Sequence, residues 1–170
     1  MTAVRVEQVT RAWAEALAEG DAVFTERFGI PVEPGWFGFR EAIDFILKTG
    51  RGEVPAAWGP HLYFDADGAL VGNGGWKGPP VNGSAEIGYA VAPSRQGRGI
   101  ATAAVRTFID QAKSAGLQVV VAHTLPRESP STSVLKHCGF RQVGESIDPD
   151  EGEVWRWELP LRPVQPSTVR

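Results

Sequence analysis

The sequence predicts an α/β fold of the mixed, α+β kind, built on one sheet covered on both faces. Three observations carry this. Gly97 to Ser114 sets Ile100, Ala101, Ala104, Val105, Phe108, Ile109 and Ala112 along a single helical stripe. Two short apolar runs flank that helix, AEIGYAV (85–91) and LQVVVAH (117–123). The second is almost wholly apolar, as a strand buried on both faces should be. Finally, two β-prone runs in WGPHLYFDADGALVGNGGW surround Asp67-Gly68, a dipeptide suited to a tight hairpin.

The remaining elements follow in order. Val9 to Glu19 spaces Val9, Trp13, Ala16 and Leu17 as a helix, with Gly20 as its stop. Phe37 to Lys48 repeats the pattern through Phe39, Ile43, Ile46 and Leu47, ending before Gly50, and the intervening IPVEPGW is turn-rich. After the hairpin, KGPPVNG is a loop and Pro93 ends the strand that follows it. The long helix stops at Gly116. Ser131 to His137 predicts a second helix closed by Cys138-Gly139, and FRQVGE and EVWRWEL predict two closing strands. Residues 161–170, within PLRPVQPSTVR, read as a flexible proline-rich tail, which leaves one domain over 1–160.

At 170 residues, with 42% hydrophobic and 22% charged, the chain has the composition of a globular domain that buries its own core. A formal net charge of −3 gives no electrostatic reason to expect nucleic acid as a partner. Cys138 is the single cysteine, so neither an internal disulfide nor a cysteine metal cluster is possible. The three histidines have no metal spacing, and no metal is expected. No run approaches the ~18 apolar residues of a membrane span, and the start has no signal-peptide core. These features place the expected location in the cytoplasm.

The chemistry concentrates at Arg95-Gln-Gly-Arg-Gly-Ile-Ala101, where a strand passes through a glycine loop into a helix. A helix start offers unpaired N–H groups and the positive end of the helix dipole, and Arg95 and Arg98 can fork onto phosphate oxygens. The alternative is a solvated basic turn. A P-loop is excluded because no Gly-Lys-Ser/Thr occurs. A dinucleotide fingerprint is excluded because Thr102 stands where its third glycine belongs, and no carboxylate follows in VVVAH.

Gln96-Gly-Arg-Gly-Ile-Ala101 resembles the Gln/Arg-x-x-Gly-x-Gly/Ala loop of the GNAT superfamily of acetyl-CoA-dependent N-acetyltransferases. The likeness continues in TLPRESPSTSVLKHCGF (124–140), which is similar to the second signature, Asn-x-x-Ser-x-x-Val-Leu ending in Gly-Phe. Together the two span about a third of the chain, roughly 85–144. They are most similar to the branch that contains the ribosomal-protein N-terminal alanine acetyltransferases. The resemblance implies a mostly antiparallel sheet with one splayed strand pair, and acetyl-CoA as cosubstrate in the splay. It sets the pyrophosphate on the amides of Gln96, Gly97, Arg98, Gly99, Ile100 and Ala101. It lays the pantetheine arm along Tyr89 and Val91.

The implied reaction is direct attack of a primary amine on the thioester, which needs a base for the ammonium proton and a proton for the leaving thiolate. Glu86 interrupts the apolar strand and is the candidate base; the alternative is a solvent-facing residue on the polar side of the strand. Ser131 occupies the serine of the second signature, as a proton donor or pantetheine contact, or else as the N-cap of its helix. Two departures stand out. Leu135 replaces a tyrosine that many members use as the acid, and Glu128 replaces the usual Asn. The expected acceptor is a small-molecule amine or a peptide N-terminus, with a homodimer as a possible assembly. The alternative is a coenzyme A-binding sensor of the same fold that has lost turnover. Trp36 and Trp76 are candidates for the acceptor pocket; His61, His123 and His137 read as structural.

Overall fold

The protein's structure, a computed structural model, describes residues 3–36 and 40–161. Among the described residues, seven strands form one sheet in the order β1-β2-β3-β4-β5-β7-β6. All neighbours are antiparallel except β4 and β5. The helix α4 (Ile100–Ser114) joins β4 (Ser84–Val91) to β5 (Val119–Thr124) and makes that one parallel pair possible. The mixed fold with its mostly antiparallel sheet is therefore as the sequence predicts.

Two elements escape the sequence pattern. The strand β1 (Arg5–Gln8) pairs with β2 (Pro60–Phe64) at the sheet edge. It has one apolar residue in four, and Arg5 lies over the Phe64 ring at 4.8 Å. The helix α2 (Asp21–Phe28) buries only Phe24. Its predecessor α1 (Arg11–Glu19) starts at the N-cap Thr10, whose Oγ1 accepts from Trp13 N–H at 3.1 Å. Gly20 ends α1 as expected and also caps the start of α2. The helix α3 (Arg40–Gly50) covers the described part of the predicted 37–48 helix; Phe37 and Phe39 lie outside the described residues.

Packing divides by face. On one face, Ile100, Ala104, Val105 and Phe108 of α4 meet Trp76, Ile87, Val120 and Trp157, with Leu135 from α5 (Pro130–His137). On the other, Ala16, Leu17, Phe24 and Ile46 from α1 to α3 meet Leu62, Phe64 and Leu70. Burial of such side chains is the main source of stability, at ~25 cal/mol per Å² of apolar surface. The Asp67-Gly68 hairpin forms between β2 and β3 (Leu70–Trp76), as a five-residue turn with Gly68 at φ +86°. The closing strands β6 (Arg141–Asp148) and β7 (Gly152–Pro160) pair as expected. Leu161, assigned by the sequence to the tail, is instead buried, and its N–H donates to Gln118 C=O at 2.7 Å. The residues beyond it lie outside the described ones. No described helix is long and apolar enough to cross a membrane.

Candidate active site

The parallel ladder between β4 and β5 is short. It runs from Ser84↔Val119 to Ile87↔Ala122 and stops. From Gly88 to Val91, β4 stays paired with β3 alone, and His123 and Thr124 stay paired with β7 alone. The two strands thus part after one shared stretch. Their facing edges line a cleft of about 610 Å³ together with Lys77, Arg127, Ser131, Asp148, Asp150 and Glu151. Unpaired strand edges are backbone donors and acceptors that water or an extended ligand must satisfy.

The first turn of α5 sits at the mouth of this cleft. Tyr89 Oη–H donates to the Ser131 carbonyl at 2.9 Å, bridging β4 to α5. Burial pushes the Tyr89 hydroxyl well above its ordinary 10, so it stays a neutral phenol. Ser129, not Ser131, is the N-cap of α5. Its Oγ accepts from Thr132 N–H, Thr132 Oγ1 accepts from Ser129 N–H, and Pro130 opens the helix. This removes the capping alternative for Ser131, whose residue lines the cleft. Glu128, at the departure from the second signature, accepts from Lys136 Nζ at 2.8 Å and from Thr132 Oγ1 at 3.1 Å.

The glycine loop lies at the far end of β4, beyond Val91. Gln96 Nε2–H donates to the Val91 carbonyl at 3.1 Å, tying the loop to the strand. Gly97 and Gly99 sit at φ +77° and +81°, the region that favours glycine, and a Cβ at either would meet nothing within 4 Å. Gly99 is the N-cap of α4 and brings no side chain, so the first amides of α4, at Ile100 and Ala101, have no intrahelical partner. Arg98 is exposed at this mouth.

Arg95 corrects the sequence reading. Its guanidinium is engaged by Asp65 Oδ2 at 2.8 Å, Glu33 Oε1 at 2.9 Å and Asp67 Oδ2 at 3.1 Å. Its side chain is 14% exposed, so it braces the loop rather than reaching for phosphate. The Ser94 hydroxyl and the Arg95 guanidinium together hold the Glu33 carboxyl below its ordinary range, and Arg95 does the same for Asp67.

Glu86 projects from the face of β4 opposite Ala85 and Ile87, which are buried against α4. It is neither in the open nor alone. Its Oε2 lies 2.9 Å from Lys77 Nζ and 3.1 Å from His123 Nδ1. Asp148 closes the same corner. Backbone N–H groups of Glu151 and Asp150 hold its carboxyl below the usual range, with smaller pulls from Lys77 and His123. The structure thus brings Tyr89, Ser131 and, through His123 and Lys77, Glu86 to the cleft. Gln96 to Ala101 form a separate patch at the helix mouth, joined to it by Val91. His123 and Lys77 were not singled out as functional in the sequence. The available signal was position: His123 is the polar end of an apolar strand, and open sheets place their ligands at carboxyl ends of strands.

The tryptophan expectation fails for Trp36, which is fully buried with its Nε1–H on Asp21 Oδ1 at 3.0 Å. Trp76 borders the cleft, but its ring is in the core beside Trp58 and Phe108.

A splayed parallel pair beside an uncapped helix mouth is the architecture of a known class. The family model for the acetyltransferase (GNAT) domain matches residues 4–141, and the chain belongs to that family. Among solved structures, ribosomal-protein-S5-alanine acetyltransferase from Vibrio fischeri is similar with TM-score 0.68 and 18% identity, covering 92% of each chain. A spermidine N-acetyltransferase chimera from Vibrio cholerae and hSSAT is equally similar, with TM-score 0.68 and 16% identity over 92% of this chain and 95% of that one. Mycobacterium smegmatis RimJ in complex with CoA-disulfide shares 26% identity with TM-score 0.60, covering 92% of this chain and 81% of that one. Among curated proteins, none matches the sequence.

Proposed function

We propose that the protein transfers the acetyl group of acetyl-CoA directly to a primary amine. The observation that carries this reading is the unpaired edge Gly88–Val91 leading to the bare amides at the start of α4. A pantetheine arm carries amide groups and adds to such an edge as a short strand does. The diphosphate then falls on the amides of Gln96, Gly97, Arg98, Gly99, Ile100 and Ala101. The open space before Gly97 and Gly99 suits that approach. Backbone N–H near Tyr89 polarises the thioester carbonyl and receives the oxyanion, and Ser131 contacts the arm beside the departing sulfur. With Leu135 in place of a tyrosine, the thiolate leaves with a proton from the reacting nitrogen or water. The alternative, a coenzyme-binding sensor without turnover, does not account for a cleft lined by His123 and Asp148 with Glu86 held against that histidine.

The two structural neighbours with equal TM-scores act on different amines, so the fold does not select the acceptor. The cleft itself is rimmed by Asp148, Asp150 and Glu151, which suits a cationic amine. The test is thiol release from acetyl-CoA over an alanine-initiated peptide, spermidine and benzylamine, with the product mass confirming an amide. Amide formation with at least one amine is expected. Tight coenzyme binding with no amide product from any of them points to the sensor instead.

A further inference from the structure

Glu86, His123 and Lys77 form an arrangement that neither glycine loop nor second signature announces. His123 is the first residue of β5 past the last rung shared with β4, Ile87↔Ala122. Its side chain is 18% exposed and lines the cleft. Nδ1 faces Glu86 Oε2 at 3.1 Å, and among the described residues no hydrogen-bond partner occupies Nε2. The imidazole is thereby held by one nitrogen and available at the other.

Lys77 shows what the carboxylate attracts. Its Nζ sits 2.9 Å from Glu86 Oε2, and its Cε lies over Gly88, 3.1 Å from where a Cβ would stand. A primary ammonium from the chain itself thus rests over the unpaired edge of β4, beside the imidazole. An acceptor ammonium presents the same group.

We propose that His123 is the catalytic base of the transfer and that Glu86 is a positioning residue that steadies it. This deepens the acetyl-transfer reading and rests on it. With Nδ1–H held toward the carboxylate, the lone pair of Nε2 is the proton acceptor. Nε2 takes a proton from R–NH3⁺, and the imidazolium formed is balanced by Glu86. The free amine then forms a bond to the thioester carbonyl carbon, and the carbonyl oxygen becomes the oxyanion. Collapse breaks the C–S bond, the second proton lost from nitrogen ends on the thiolate, and His123 returns its own proton to water. One amide, one free thiol and one proton result.

The charged groups around His123 are Glu86 on β4, Lys77 just past β3, Asp148 on β6, and Arg156 opposite it on β7, the last paired with Glu158 at 2.9 Å. Arg127, Asp150 and Glu151 stand on the cleft rim.

The experiment compares wild type, His123→Ala, His123→Gln and Glu86→Gln with acetyl-CoA and whichever of spermidine, benzylamine or the alanine-initiated peptide wild type acetylates fastest. Loss of a general base predicts a ~100-fold or greater fall in kcat for both His123 variants near neutral pH. Acetyl-CoA affinity by calorimetry stays within about threefold, because His123 does not hold the coenzyme. The acidic limb of the kcat/KM profile flattens, and added imidazole restores part of the His123→Ala rate. Glu86→Gln loses less than the His123 variants and keeps an acidic limb, because the base survives with poorer orientation. Thermal melts confirm folding, and His123→Gln preserves a polar side chain if the alanine variant is unstable. Unchanged kcat in the His123 variants overturns the inference while acetyl transfer stands. So does a loss with the acidic limb intact and no rescue by imidazole, which marks a structural role. If wild type binds acetyl-CoA and acetylates none of the amines, the transfer reading itself fails and the inference with it.

Discussion

At Gly99 the backbone turns through φ +81° with open space where a Cβ would project. Two substitutions separate conformation from charge there. Gly99→Ala and Gly99→Glu carry the same left-handed strain, about 1–2 kcal/mol each, and lower the melting temperature alike. Only Gly99→Glu sets a carboxylate at the proposed diphosphate site, so calorimetry should find acetyl-CoA affinity nearly lost in it and much less reduced in the alanine variant. Equal affinities would move the phosphate site elsewhere. A second residue sets acid stability. His61 is 1% exposed, and burial holds its imidazole below the ordinary 6.5 despite the Gly59 carbonyl 3.1 Å from Nδ1. The folded state thus prefers the neutral ring, while the unfolded chain takes up a proton near 6.5. This stabilisation is complete above that pH and is lost as pH falls toward the lower folded value. Melting temperature should drop between pH 7 and 5, and less steeply in His61→Leu. The carboxyls held low, Glu33, Asp67, Glu128 and Asp148, stabilise the fold fully above their ordinary values of 4.5 and 3.8 and lose that contribution only as pH falls below them. Among residues, those set by local chain conformation, such as Gly97 and Gly99, could be read from the sequence. The pairing of Glu86 with His123 could not, because only the parallel register of β4 and β5 brings them together.

The turn from β4 into α4 is braced by partners far from it in the chain. Arg95 ties it to Asp65 and Asp67 in the hairpin and to Glu33 before α3, and Ser94 Oγ–H donates to Glu33 Oε2 at 2.9 Å. Arg95→Met removes the guanidinium that the three carboxylates share. It is expected to lower the melting temperature and to weaken acetyl-CoA binding, with the loss of affinity read by calorimetry. Arg95→Lys should recover only part, since one ammonium lacks the fork that reaches several carboxylates. Affinity unchanged in Arg95→Met would show that the loop keeps its shape unaided. Elements with strong periodicity, such as α4, β5 and β7, were legible from pattern alone. The strand β1 and the helix α2 were not, because β1 fully buries no residue and α2 only one, and each is held by neighbours: β1 by the β2 ladder, α2 by Phe24 and by the Trp36 indole on Asp21.

At the scale of the whole molecule, the described strands of the sheet pair antiparallel but for the two joined by α4, and that exception makes the cleft. Two strands that start side by side and diverge leave edges exposed within the sheet rather than at its rim. The sequence foretold both strands and the helix between them. The splay came from family likeness, because no residue pattern states where a ladder stops. That interruption has a consequence for motion. Along Gly88–Val91, the amides aimed at β5 have no rung to protect them, while those aimed at β3 are locked. In deuterated water the empty protein should therefore label this one strand unevenly, fast on one side and slow on the other. Saturation with coenzyme A should slow the fast side and make the labelling even, as though an eighth strand had been slipped into the sheet.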